Sequence, residues 1–383
     1  MKDLGVITAC RRARRDIPNF YSSICTALAA LAVTLSLSAT HARAAPIVSG
    51  PDANGFRWCT VGSAGNTAYA GLPPGQYDSA RGRGRVDYDF RIARTEVSTG
   101  QWLEFLNAVG DAGLTSSLSV VAEPTYWGGA LAGTRPDGSP IWMLNPSLPD
   151  AARLPAAGMS WRDAAMYCNW LHNNKAATPD GIGRGAYDAS TFGWAPHPDI
   201  PTTLVFTDQF TRSPGAKYWI PSLDEWLKAA YFDPNKGGTG AGWWTYVNSS
   251  DTQLVPGLPG SGETIAGYFD PSNPQFDEWS VPLEAYPHVT SPWGLLDVSG
   301  GGEEWLEEVY EPAFPRYRGL GGTRANSPFY PDNNAIFSSL NGTFPSGGGS
   351  EGFRIASLVP APTGAFLASV CLVTITFRGR RTQ

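Results

Sequence analysis

Cysteine is scarce in this chain, five in 383 residues. Three of them, Cys10, Cys25 and Cys371, lie near the two ends, leaving only Cys59 and Cys168 between. Two thiols cannot make a disulfide framework, although this pair could bridge in an oxidising compartment. Histidine is scarcer still, and His172, His197 and His288 stand isolated, without zinc-type spacing. Charged residues make up 16% of the chain, too few for a long solvated helical bundle. No Gly-X-Y period, sustained heptad or solenoid repeat occurs, which excludes collagen, coiled coil and repeat arrays.

Turn formers and aromatics are abundant instead. The chain holds 44 Gly and 32 Pro, about a fifth of all residues. Aromatics reach 12%, including 14 Trp, all between Trp58 and Trp305. A disordered chain lacks that apolar bulk. The composition therefore points to a globular, loop-rich α+β or β protein whose loops are anchored by aromatic side chains.

The two ends read differently from the body. Arg11, Arg12, Arg14 and Arg15 precede an apolar stretch from Ile24 to Leu37, and Ala42-Arg43-Ala44 supplies a small-x-small cleavage site. Residues 1–45 thus read as an export signal peptide. At the other end, Val359-Pro360-Ala361-Pro362 leads into the apolar run Gly364–Phe377 and then Arg378, Arg380 and Arg381. That run falls short of the ~20 residues a bilayer-spanning helix needs. Six basic and two acidic residues fall in the leader and three basic residues in the tail. The remaining 19 basic and 32 acidic residues give the body a net charge of −13. Such a body is a poor partner for nucleic acid, and acidic surfaces suit cations. Arg81, Arg83 and Arg85, spaced by glycines, read as a solvated loop.

Three segments carry helix-start chemistry. Ser98 with Gln101, Ser160 with Asp163, and Ser222 with Glu225 are N-caps followed three residues on by a side chain suited to the first turn. Trp102, Phe105, Leu106 and Val109 then recur on one helical face, as do Ala164, Tyr167, Cys168 and Leu171. Strand candidates are Phe56–Val61, Val86–Ile92, Lys217–Ile220 and Gly352–Ser357. Gly348-Gly349-Ser350-Glu351-Gly352 fits a nucleophile-elbow pattern, but without the flanking strand and helix it reads as loop.

Five ordered blocks carry a family resemblance. They are Arg94-Thr95-Glu96-Val97-Ser98-Thr99-Gly100-Gln101-Trp102, then Met159-Ser160-Trp161-Arg162-Asp163-Ala164, then Ile220-Pro221-Ser222-Leu223-Asp224-Glu225-Trp226. Trp293-Gly294-Leu295-Leu296-Asp297-Val298-Ser299-Gly300 with Glu304-Trp305 follows, and Gly352-Phe353-Arg354-Ile355-Ala356 closes the set. Together they resemble the formylglycine-generating-enzyme (sulfatase-modifying factor) family over residues 90–357, with 46–89 as an N-terminal β segment. The resemblance implies an irregular α+β fold related to C-type lectins, with short twisted sheets and about three core helices. Residues 358–383 resemble a PEP-CTERM sorting tail, with Ala361 where that signal usually has Glu. This implies an exosortase-type processing enzyme as partner, transient membrane association through the tail, and a place at the surface of a Gram-negative cell or outside it.

Catalytic members of the family hold copper on two cysteines that follow a Gly-Gly-Ser/Thr turn. Here the turn is Gly321-Gly322-Thr323, and the cysteine positions fall on Asn326 and Pro331. Copper(I) prefers soft thiolates, so copper-dependent oxidation is not expected. A family calcium loop maps onto Asp297, Gly300, Gly302 and Glu304, with Gly301 and Glu303 where Asn and Trp are usual. Oxygen ligands on a Gly-permitted loop suit a hard cation. A second calcium site of the family would fall near Ala266-Gly267-Tyr268 and residues 277–286. The expectation is an exported, calcium-stabilised, non-catalytic module that binds a polysaccharide or protein. Trp243, Trp244 and Tyr246 are candidate contacts or loop anchors. The alternative is an oxidase with a changed metal site, using Asn326, Arg324 and a shifted ligand.

Overall fold

The computed structural model describes residues 46–238, 240–273, 276–325 and 334–360. From the N-terminal side come β1 (Trp58–Val61), β2 (Phe90–Ala93), α1 (Thr99–Asp111) and a hairpin of β3 (Gly129–Thr134) with β4 (Pro140–Leu144). Then follow α2 (Trp161–His172), α3 (Pro179–Gly183) and the hairpin of β5 (Trp194–Pro196) with β6 (Leu204–Phe206). Next are β7 (Tyr218–Trp219), α4 (Leu223–Tyr231) and the short pair β8 (Phe232–Asp233) and β9 (Gly242–Trp243). The last stretch holds β10 (Glu303–Val309), β11 (Arg318–Gly321), β12 (Leu340–Thr343), β13 (Glu351–Gly352) and β14 (Ala356–Leu358).

Two four-stranded sheets organise these pieces, in the orders β1-β2-β14-β7 and β12-β11-β10-β13. The first is antiparallel throughout, with Ala356 facing both Ile92 and Trp219. In the second, β13 lies parallel to β10, with Glu303 opposite Glu351 and Glu304 opposite Gly352. The fold is the irregular α+β arrangement anticipated, with short sheets and few helices.

All three expected caps form. Ser98 accepts from the Gln101 amide while the Gln101 side chain takes the Ser98 amide; Ser222 and Glu225 repeat the device, and Ser160 caps α2 through the Asp163 amide. Trp102, Phe105, Leu106 and Val109 are buried as their spacing predicts. The core joins the helices and the first sheet through Trp58, Trp102, Trp161, Trp219, Trp226 and Trp305, all of them buried.

Each of these indoles also reaches a polar partner. Trp102 donates to the Ala122 carbonyl, Trp161 to Leu306 and Trp305 to Met159, each at 2.9–3.0 Å. A rigid apolar ring with one polar handle can pin a loop while filling the core, so the Gly- and Pro-rich connections stay ordered. Trp243 and Trp244 do the same at half-buried positions, donating to Thr67 and Asp233.

Three of the four strand expectations hold with shifted bounds, whereas Gly352–Ser357 is divided between β13 of one sheet and β14 of the other; a further expectation is also corrected. Arg83 is no solvated loop residue: it bonds both Asp224 at the start of α4 and Glu308 of β10, at 2.9–3.1 Å. Gly-spaced arginines read as exposed in sequence, but the partners of Arg83 lie more than 140 residues away. Cys59 and Cys168 are both buried and unbridged.

Candidate functional site

β10 is an unusual central strand, Glu-Glu-Trp-Leu-Glu-Glu-Val, carrying four glutamates. Each is met by an arginine from elsewhere: Glu303 by Arg324, Glu304 by Arg354, Glu307 by Arg212 and Glu308 by Arg83. The innermost of these pairs, at the start of the strand, anchors the loop Asp297–Gly302.

Arg354, on the segment between β13 and β14, is fully buried. Its Nε donates to Glu304 Oε2 at 2.5 Å and its Nη2 to Oε1 at 2.6 Å. The Trp226 indole adds a third bond to Oε2, at 2.9 Å. The remaining guanidinium donors reach the carbonyls of Ala93, Arg94 and Leu296. A planar fork on a carboxylate, with its other donors satisfied, is the geometry in which a buried ion pair holds.

Two further carboxyls crowd the same place. Glu96, buried ahead of α1, accepts from the Gly302 amide at 3.1 and 3.2 Å. Asp297, in the left-handed region at φ 56°, accepts from the Glu284 amide at 2.8 Å. Burial and the neighbouring Glu304 push the Glu96 carboxyl well above the usual carboxylate range. Burial lifts Asp297 to about 6, against the opposing pull of the Glu284 amide and Arg354. Three carboxylates facing one guanidinium leave two surplus negative charges, and a low-dielectric interior removes them by protonation or by a cation.

The glycines of the loop are there for room as well as conformation. Gly301 has φ 74°, and a Cβ there would lie 2.6 Å from Glu96 Oε2. A Cβ on Gly302 would lie 2.5 Å from the Gly352 amide nitrogen. Any larger residue at either position would have to displace Glu96 or β13.

The family model of the sulfatase-modifying factor enzyme 1-like domain matches residues 61–357, more than three quarters of the chain. The chain belongs to that family. Among solved structures, CarF matches at 20% identity and a TM-score of 0.46, covering 80% of this chain and all of its own. Variable protein 1 of Treponema denticola matches at 17% and 0.45, and PvdO from Pseudomonas aeruginosa at 16% and 0.42. Each of these two covers 82% of this chain and all of its own. No curated protein matches the chain.

As a sulfatase-modifying-factor-type domain, the chain can be tested for the family's two metal chemistries. Asn326 and Pro331, where the copper-binding cysteines would stand, lie outside the described residues, as do residues 1–45, read as a signal peptide, and residues 361–383, read as most of the sorting tail. Arg324, beside them in sequence, faces Glu303 at 3.5 Å and donates to Ser350 Oγ at 3.1 Å. The two thiols that are described lie deep: burial pushes Cys59 up to about 12 and Cys168 well above its ordinary value. Neither offers a thiolate.

The loop expected to hold calcium offers only part of a ligand set. Asp297 and Glu304 supply hard oxygens, Gly300 turns at φ 93°, and a cavity of about 10 Å³ adjoins Asp297 and Ser299. A bound divalent cation would cancel the two surplus charges. Glu304 would enter such a shell only with the lone pairs that Arg354 and Trp226 leave. Among the described residues no three acidic, His or Cys side chains converge as a metal cluster, so carbonyls would have to complete the set. The second expected site fits less well. Asp277 is occupied capping the turn Glu278–Ser280, and Tyr268, Trp279 and Tyr286 belong to a small apolar cluster.

Glu96 and Arg354 were visible in sequence only as members of family blocks. Nothing in their local pattern marks either as buried and charged, because their partners are distant in the chain.

Proposed function

We propose that this family member is an exported, non-catalytic module that binds or supports a polysaccharide or protein partner at the cell surface, stabilised by calcium at Asp297, Gly300, Gly302 and Glu304. One observation carries the non-catalytic reading. No cysteine lies between Cys168 and Cys371, and both cysteines of the described body are buried with raised pKa values. Copper chemistry on a substrate thiol needs exposed thiolate ligands. The acidic body, with its net charge of −13, argues against nucleic acid as the partner.

The test is copper loading of the purified protein, followed by oxygen uptake on a cysteine-containing peptide. No uptake and no mass change in the peptide are expected; turnover would restore the alternative, an oxidase with a changed metal site. For export and sorting, mass spectrometry of the protein recovered from cells should show loss of the leader and of residues beyond about 360. Recovery of both ends intact would reject that part of the reading.

A further inference from the structure

A second feature of the molecule lies beside the calcium loop and uses none of its proposed ligands. A cavity of about 170 Å³ opens between the turn at Gly55–Arg57, the start of α1 and the turn at Leu283–Glu284. Phe56 and Leu283 give it apolar walls, Ser98 and Gln101 a polar edge, and Arg57 and Arg153 line it from separate segments. Arg94 stands behind Glu284.

The ion pairs at this cleft are longer than those of several other arginines. Elsewhere Arg83, Arg162, Arg212 and Arg354 meet carboxylates at 2.5–3.1 Å. Here Arg57 lies 3.4 Å from Glu284, Arg94 3.8 Å from the same carboxylate, and Arg153 4.0 Å from Asp150. Arg153 Nη2 donates to the Leu283 carbonyl and Arg94 Nε to that of Gly294. Arg57 Nε and Nη2 and Arg153 Nε have no partner among the described residues. Among the residues that line the cleft, Arg57 and Arg153 face the single carboxylate of Glu284, so the lining is net positive on a strongly acidic body. Glu284, at φ 66°, is held in place from behind by the hydrogen bond that its backbone amide donates to Asp297 Oδ2.

We propose that the cleft binds a carboxylate-bearing sugar unit, a hexuronate, with Arg57 and Arg153 on the carboxylate and the polar edge on ring hydroxyls. Arginine forks match planar carboxylates in two-point contacts. The volume lies below the ~300–1,000 Å³ of pockets for drug-sized ligands and suits one ring. Apolar walls with a polar edge suit a pyranose, which has both kinds of surface. The inference rests on the binding-module reading only for where such a ligand is met; the carboxylate chemistry stands on the cleft.

Calorimetric titration of the intact protein with glucuronate, galacturonate oligomers, glucose and glucose sulfate tests it. Uronate should bind, glucose should not, and Arg57→Gln and Arg153→Gln should each weaken uronate about tenfold or more. Both variants should melt with the wild type, since both side chains are about half exposed. Arg85→Gln, outside the cleft, should change nothing. Uronate held no tighter than glucose, preference for the sulfate, or affinity indifferent to both cleft variants would overturn the proposal. If free uronates bind but no uronate-containing polysaccharide is retained by immobilised protein, the cleft assignment stands and the binding-module reading falls.

Discussion

Arg354 grips Glu304 through two charge-assisted hydrogen bonds of 2.5 and 2.6 Å, both side chains fully enclosed. The pair ties the segment after β13 to the first residues of β10, and the spare donors of the guanidinium tie both to β2 and to the Leu296 carbonyl ahead of the loop Asp297–Gly302. It is the joint at which the two sheets and the loop meet.

Removing Arg354 should therefore be severe. Arg354→Met leaves Glu304 buried beside Glu96 and Asp297 with no positive charge, and breaking a buried pair costs about 3–5 kcal/mol. Arg354→Lys should recover little, because a single ammonium cannot span two carboxylate oxygens and three carbonyls. Urea unfolding of both variants would measure this, and a lysine variant as stable as the wild type would refute the geometric account.

Stability of the calcium-free protein should fall as pH rises from about 4 to about 6. Asp297 titrates near its ordinary value when unfolded but at about 6 when folded, so the folded state holds the extra proton in that window. Stability thus declines as pH climbs through the folded value and levels off above it. Asp297 alone contributes up to about 3 kcal/mol of decline. Glu307, lifted by burial to about 7, extends the slope upward. Asp297→Asn should make the lower part of the profile shallower and leave the contributions of Glu96 and Glu307; an unchanged profile would remove Asp297 as a cause.

Calcium should raise the melting temperature at pH 7.5 more than at pH 5, because protons and the cation compete for the same surplus charge. At a hundredfold excess over its dissociation constant, a ligand of the native state stabilises by about 2.7 kcal/mol. A midpoint that is the same with calcium and with chelator would eliminate the site.

Gly301→Ala should cost more than Gly113→Ala, although both glycines have positive φ, 74° and 70°. A Cβ at 113 meets nothing within 4 Å, whereas at 301 it collides with the Glu96 carboxyl. The first change carries only the conformational penalty of about 1 kcal/mol, the second that and the collision, another ~1–3 kcal/mol. Equal losses by thermal or urea melts would show that Glu96 yields freely.

Local chemistry made three of the four described α-helices legible in advance, but not the short α3. Ser98, Ser160 and Ser222 each satisfy amides three residues on, and apolar spacing marks the faces they bury; both signals lie within a few turns of chain. The family blocks, in order, disclosed the fold. The charged interior was not legible. β10 has four glutamates in seven residues and looks like a solvated segment, because the arginines that neutralise them, Arg83, Arg212, Arg324 and Arg354, are scattered over 270 positions.

What the amino-acid order alone determined is the set of capped helices, the excess of turns, the aromatic anchors and the missing thiols between Cys168 and Cys371, since each depends on residue identity or short-range spacing. Tertiary structure alone decided which charges are buried and with whom: that Arg83 joins α4 to β10, that Glu96 closes over Gly301, and that Arg57 and Arg153 open onto one cleft. Ion pairs form wherever folding brings their members together, and no local pattern encodes a partner a hundred residues away.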